Sequence, residues 1–393
     1  MTLRGAAAIV GVGELKPARS TPPGKGSIDL IGEVSQLAIQ DAGISIRDID
    51  GLLVDPINEG GMLLPSSVGE YLGLDLTYGA LVDLGGATGA GMVWRAAAAI
   101  AAGQCEVCLC VNVAPRGGGP GIGWGGGGGR PSMRTPDMQF ERPYGAGAPN
   151  NGYAMIAKRY EYEYGLKAEQ RAKIAVDQRT NACAYPLAFF YGQPITVDDV
   201  LASPVISDPL HLLEIVMPTG GGAALIVTSA ERARDLRSQP AYLLGAGEHL
   251  THKSITYAPS LTDSAIRRAA DRAFEQAGVS RDDVKLASIY DCYTITVMVS
   301  LEDAGFCEKG EAGDFVASRD LTYEGDFPLN THGGQLSFGQ PGLAGGMSHV
   351  TEAARQVLGD AGERQIPDCD IAFVNGNGGI MSEQVSLILG RSR

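Results

Sequence analysis

The strongest constraint in this chain is that it repeats itself. Residues 38–43 read AIQDAG and run on as ISIRDIDGLLVD; residues 273–278 read AFEQAG and run on as VSRDDVKLASIYD, 235 positions later. In each copy a helix with apolar periodicity stops at Ala-Gly, an acidic turn follows, and an apolar run of strand type begins. Strands precede both helices, AAAIVGVGE at 6–14 and AYLLGAGE at 241–248. A third pair extends the match. Gly89-Ala90-Gly91-Met92 opens an alanine-rich helix leading to the strand VCLCVNV, and Ala344-Gly345-Gly346-Met347 opens the helix HVTEAARQVL leading to DIAFVNG. Strands alternating with helices predict sheets flanked by helices. The expectation is two copies of one α/β unit, residues 1–240 and 241–393, the first closing with GGAALIVTSAERARD at 221–235 and carrying an insertion at about 115–217. The glycine-rich starts of the two inner helices would let them approach across a pseudo-twofold axis; a simple packing role accounts for the same glycines equally well.

Composition removes several classes of function. With 44% apolar and 19% charged residues the chain has material for a buried core, and disorder driven by charge is excluded. A net charge of −14 repels phosphate backbones and anionic lipid, so neither nucleic acid nor membrane is an expected partner. No apolar run reaches the ~18 residues of a membrane span, and the N-terminus reads as a first strand rather than a signal peptide. Seven cysteines, an odd count without a dense framework, point to a reducing cytoplasm. Cys105, Cys108 and Cys110 contain a C-x-x-C spacing, but no second Cys/His pair stands at zinc-site distance. They are expected as core cysteines of a buried strand, and no metal site is expected.

The insertion has its own character. Residues 117–129 hold ten glycines in thirteen positions and cannot keep regular structure, so a cover or spacer is expected there. Between residues 130 and 179 nine basic residues face six acids, a local excess of +3 inside an acidic chain. Such a field suits an anionic cofactor, with Arg130, Arg134, Lys158 and Arg159 as the candidate docking groups. A solvated helix face has the same composition.

Four motifs in order now carry a resemblance. They are Gly85-Gly86-Ala87-Thr88-Gly89 before the inner helix, Tyr290-Asp291-Cys292-Tyr293 after a strand, Gly339-Gln340-Pro341 within THGGQLSFGQPGLAGG, and NGNGG at 375–379. With PYGAGAPNNGYAMIAKRYEYEYG in the insertion, the chain resembles the thiolase superfamily over nearly its whole length, most closely the thiolases of sterol carrier protein X type. The resemblance implies a five-layered αβαβα fold, usually dimeric, that binds coenzyme A thioesters and makes or breaks carbon–carbon bonds beside the thioester carbonyl. It implies no covalently bound cofactor, coenzyme A being part of the substrate. A thiolase places a nucleophilic cysteine at the start of the inner helix of its first half, where helix N–H groups lower the thiol pKa. Aligned on Thr88-Gly89, that place falls to Gly86. The histidine of the family's G-H-P is Gln340, and a carboxamide is no base at neutral pH. In the H-D-C-F motif the outer residues are Tyr290 and Tyr293, while Asp291 and Cys292 remain.

Without the thiol, thiolysis through an acyl-enzyme is not expected. The backbone groups of Gly86 and of the NGNGG turn, Gly378 and Gly379, remain as an oxyanion hole, in which one donor is worth about 3–4 kcal/mol. Enolate chemistry without an acyl-enzyme is aldol chemistry. Cysteine-lacking members of the family, associated with bacterial steroid side-chain degradation, cleave 3-hydroxyacyl-CoA in this way with tyrosines as acid and base. They work with a small partner carrying an OB fold and a zinc ribbon, which implies a homodimer or a heterotetramer here. Tyr290 and Tyr293 are the leading proton-transfer candidates. Asp291 would orient them or hold a turn. Cys292 is an acid/base candidate or a core residue, His332 an active-site group or a backbone anchor, and Gln340 a hydrogen-bond donor to substrate. His211, His249, His252 and His349 have no motif support and default to surface or capping roles. A Claisen-type acyltransferase with a relocated nucleophile and a catalytically silent subunit are the alternative readings.

Overall fold

The computed structural model describes residues 3–57, 59, 61–117, 133–146, 148–237 and 239–393. In the first half, β1 (Ala7–Glu14) leads into α1 (Ser27–Ala42), β2 (Gly51–Val54), β3 (Tyr78–Leu81), α2 (Thr88–Ala101) and β4 (Val107–Ala114). The insertion then contributes α3 (Pro149–Tyr164) and α4 (Ala168–Cys183) before β5 (Gly221–Ser229). The second half runs β6 (Ala241–Leu250), α5 (Ile266–Ala277), β7 (Leu286–Ile289), α6 (Thr294–Asp303), α7 (Met347–Leu358), β8 (Ile371–Gly378) and β9 (Glu383–Gly390).

The repeat is visible in local chemistry. Helices α1 and α5 bury one apolar stripe each, Leu30, Ile31, Val34, Ala38 and Ala42 in α1, and Ile266, Ala269, Ala270, Ala273, Phe274 and Ala277 in α5. Both stop at a left-handed glycine, Gly43 (φ 68°) and Gly278 (φ 65°), a conformation that costs glycine nothing. Their strands carry paired glycines for one reason. A methyl group on Gly11 or Gly13 would stand 2.4 Å from the α1 carbonyl of Ala38 or Val34, and one on Gly245 or Gly247 would stand 2.0 Å from the α5 carbonyl of Ala273 or Ala269. Bare backbone lets each helix lie directly on its strand.

The strands form one nine-stranded sheet in the order β7-β8-β9-β6-β1-β5-β4-β2-β3. Within each half the pattern repeats. β1–β5–β4 and β6–β9–β8 are antiparallel steps, and β4–β2 and β8–β7 are parallel ones. Among the described residues the half-sheets join where β1 meets β6, through Ala8–Tyr242 and Ile9–Ala241. Beyond that seam they diverge around α2 and α7, whose apolar side chains share one core with the inner faces of both halves. Helices α1 and α5 cover the outer faces. The result is the expected five layers, with the two sheet layers hydrogen-bonded at one edge. The inner helices touch at their starts, where a methyl group on Gly89 would stand 2.8 Å from Met347 Cα. Cys108 and Cys110 are buried strand residues of β4. Among the described residues no helix is long and apolar enough to cross a membrane.

Candidate active site

The chain leaves β7 at Ile289 and enters α6 at Thr294, so the four residues between them are held at the C-terminal end of a parallel pair. The side chain of Tyr290 is buried against the first-half glycine loop. A Cβ on Gly86 would stand 2.3 Å from Tyr290 Cε2 and 2.4 Å from both its Cζ and its hydroxyl oxygen. The phenol thus fills the volume that any side chain at position 86 would need. Gln340 Nε2 donates to the Tyr290 hydroxyl at 3.2 Å and also to the Gly342 carbonyl. Because the amide N–H occupies the oxygen, the phenolic proton is directed elsewhere. Burial first, then the neighbouring Cys292, push the phenol above its ordinary value, while the Gln340 hydrogen bond works against them. Tyr290 is a neutral O–H donor at pH 7. Gly86→Ala is expected to cost about 1–3 kcal/mol of stability through overpacking and to displace the phenol. Thermal unfolding with near-UV dichroism of the tyrosines reads both effects.

The neighbouring candidates are committed otherwise. Tyr293 donates to Asn150 Oδ1 at 2.5 Å and stacks on Tyr153 with ring centroids 4.3 Å apart, an anchor between the second half and α3. Cys292 contacts Thr296 Oγ1 at 3.5 Å, and burial pushes its thiol up to about 12, the opposite of an activated nucleophile. The NGNGG turn is fixed by a polar chain running from Asn375 through Gln384 and Asn377 to the Tyr153 hydroxyl, which donates to the Gly379 carbonyl at 3.0 Å. This turn packs on the loop before α2, since a Cβ on Gly85 would stand 3.1 Å from Gly378 Cα and 3.3 Å from Gly379 N. The glycine loops of the two halves therefore meet beside Tyr290.

Behind them lies a buried polar layer. Asp291 accepts from the backbone N–H groups of Gln335 (2.7 Å) and Leu336 (3.1 Å), holding the turn that follows NTHGG. His349 Nε2 stands 3.1 Å from Asp291 Oδ1, and its ring centroid is 5.9 Å from that of Tyr290. The sequence-based default of a surface or capping role for His349 is therefore corrected: it is fully buried on α7 at the centre of the site. No local motif marks it, because it meets Asp291 only through tertiary packing. His332 Nε2 lies 3.2 Å from Ser348 Oγ, and Ser348 Oγ lies 2.7 Å from the Gly345 carbonyl. The carbonyl carries no hydrogen, so the serine proton goes to it and the serine oxygen accepts from His332 Nε2–H. Among the described residues that tautomer leaves Nδ1 as a bare, buried lone pair without a partner. Burial, with His349 beside it, holds His332 well below its usual pKa and hence neutral.

Gln340, expected to donate to substrate, instead gives Nε2 to Tyr290 and Gly342. Of the basic candidates, Lys158 and Arg159 lie on the exposed face of α3, and both have acid partners. Lys158 pairs with Asp208 (3.0 Å) and Glu161 (3.8 Å), and Arg159 with Glu163 (2.6 Å). Arg171 and Lys173 are likewise paired, with Glu214 and Glu161 and with Asp177, so much of the local positive excess is internally neutralised. Arg130 and residues 118–129 of the glycine run lie outside the described residues. Among the described residues no group of three His, Cys, Asp or Glu is placed to hold a metal ion.

A duplicated α/β unit that builds five αβαβα layers, with two glycine loops converging under the inner helices, is a thiolase-like fold, and comparison with known proteins agrees. The thiolase C-terminal domain-like family matches residues 247–391. A steroid side-chain-cleaving aldolase of Thermomonospora curvata is 34% identical over 100% of this chain and 99% of its own length. A 17-hydroxy-3-oxo-4-pregnene-20-carboxyl-CoA lyase of Mycobacterium tuberculosis is 33% identical over 91% of this chain and 92% of its own. The solved structure of an Ltp2-ChsH2(DUF35) aldolase superposes with a TM-score of 0.89 at 33% identity, over 100% of this chain and 99% of that one. The chain belongs to the thiolase superfamily, alongside its thiolase-like aldolases.

Proposed function

We propose that this protein is a carbon–carbon lyase that cleaves a 3-hydroxyacyl-CoA by a retro-aldol reaction into a ketone or aldehyde and a shorter acyl-CoA, such as propionyl-CoA or acetyl-CoA, in steroid or lipid side-chain degradation. The observation that carries the reading is the Tyr290 phenol in the space over Gly86: the seat of a nucleophile holds a proton donor. Full-length relatives named as aldolase and carboxyl-CoA lyase support it.

The reaction balances with the groups at hand. The 3-hydroxyl gives its proton to His332 Nδ1, the one ring nitrogen without a hydrogen. The Cα–Cβ bond breaks, leaving a carbonyl on the departing fragment, and its electrons settle on the thioester oxygen. Backbone N–H groups of Gly86, Gly378 and Gly379 stabilise that enolate. Tyr290 then protonates Cα, and proton exchange between phenolate and imidazolium resets the site. Gln340 orients the phenol, and Asp291 holds the turn carrying Gln335. The coenzyme A phosphates dock on Arg134, Lys158 and Arg159, the latter two exchanging carboxylates for phosphate; exposed ion pairs are weak enough to exchange.

This reading keeps the division at residue 240 with its insertion, a cytoplasmic setting, and assembly as a homodimer joined by a DUF35-type subunit of OB fold and zinc ribbon. Incubation of the chain, with and without such a subunit, with 3-hydroxyacyl-CoA esters is expected to release the shorter acyl-CoA. The intact protein mass is expected to stay unchanged throughout. An acyl adduct on the protein would establish the acyltransferase instead.

A further inference from the structure

Gln335 sits in the short helix Gly334–Ser337 and is fully buried. Its backbone is held by Asp291, which is itself flanked by His349, and His349 Nδ1 meets Ser288 Oγ at 3.2 Å. Its side chain differs: among the described residues neither buried amide atom completes a hydrogen bond, although the amide lies close enough to the Tyr290 hydroxyl to oppose the rise in its pKa. Gln178 arrives from α4 in the same condition: both of its amide atoms are unpartnered, and a Cβ on Gly334 would stand 2.6 Å from Gln178 Oε1. Buried amides are almost always satisfied, because the lost water contacts must be replaced. Two empty-handed amides at the Gly334 turn, one of them near the candidate acid, mark a polar subsite.

We propose that Gln335 binds the substrate oxygen on Cβ, donating from Nε2 to the 3-hydroxyl oxygen and then to the carbonyl that it becomes, which leaves the hydroxyl proton free for His332. The inference rests on the retro-aldol reading and deepens it by naming the group that demands a 3-hydroxylated substrate. Two chemical facts favour an amide here. The reacting oxygen has acceptor lone pairs both as hydroxyl and as carbonyl, and a carboxamide N–H can donate to it throughout without a charge. Cα, which takes the Tyr290 proton, and Cβ, which carries the oxygen, are adjacent atoms, so the groups serving them must be neighbours in the protein.

The test uses two ligands of one skeleton, 3-hydroxy-3-methylbutyryl-CoA and 3-methylbutyryl-CoA, titrated calorimetrically into full-length Tyr290→Phe protein to prevent turnover. Adding Gln335→Leu is expected to weaken the hydroxylated ester ~10-fold or more, the size of one buried hydrogen bond, and to leave the deoxy ester within about twofold. Gln335→Met, closer in shape, gives the same split should the leucine variant fold poorly. Equal weakening of both esters, or no change in either, overturns the assignment to Gln335. If neither ester binds before Gln335 is changed, the acyl-CoA reading itself fails, and this inference with it.

Discussion

Tyr290→Phe is expected to lower kcat for 3-hydroxyacyl-CoA cleavage by ~10²–10⁴-fold, the usual worth of a positioned general acid, with KM little changed. The exchange removes one oxygen whose hydrogen-bond partner is Gln340, and the ring that fills the space over Gly86 stays. The fold should therefore survive, and the loss is chemical. Tyr293→Phe is the internal control. Its hydroxyl serves Asn150, so the expected change is about 0.5–1.5 kcal/mol of stability with turnover largely kept. Steady-state kinetics and urea unfolding of both variants separate the cases. Equal losses of turnover at the two positions would move the proton chemistry away from Tyr290.

The second large effect lies in the layer behind the site. Glu352 on α7 is fully buried, paired with Arg364 at 2.7 Å and hydrogen-bonded by Thr331 at 2.6 Å. Burial alone would raise its pKa, but the facing Arg364 charge and these hydrogen bonds outweigh it and hold the carboxyl down at about 2. Arg364→Met leaves that charge in the core without its counter-ion. The expected cost is about 3–5 kcal/mol, and replacing both partners by apolar residues should recover much of it. The pH dependence provides the signature. A carboxyl whose folded pKa lies below its ordinary 4.5 stabilises the fold above that value and loses the contribution as pH falls from 4.5 towards 2. In the Arg364→Met protein burial outweighs the remaining hydrogen bonds from Thr331 and Gln356 and the sign reverses, so its deficit is largest near neutrality and shrinks in acid. Urea midpoints across that range check both statements.

Much of the architecture could be read before any coordinates, for a physical reason. A duplicated unit writes every local rule twice, so Gly43 and Gly278 mark the same left-handed stop, and both preceding strands carry paired glycines, Gly11/Gly13 and Gly245/Gly247, whose close helix contact emerges in the fold. Tyr290, Gln340 and the NGNGG turn stood out through their motifs. What the sequence withheld was the pairing of groups far apart in the chain. Nothing local to His349 shows that it lies against Asp291, nor does anything local to Gln335 show that its amide is left without a partner. Gln340 could be named but not aimed, and only packing shows that it serves Tyr290. The Ala8–Tyr242 seam was equally hidden, because edge pairing between half-sheets leaves no periodic trace.

The glycine under the phenol also bears on ancestry. A lone mutation giving position 86 a sulfur atom would collide with the aromatic ring, and a lone mutation trimming that ring would leave a void with nothing reactive beside it. Either single step passes through a crippled intermediate, so the change of chemistry behaves as a ratchet. Placing a thiol at position 86 therefore takes paired changes at positions 86 and 290.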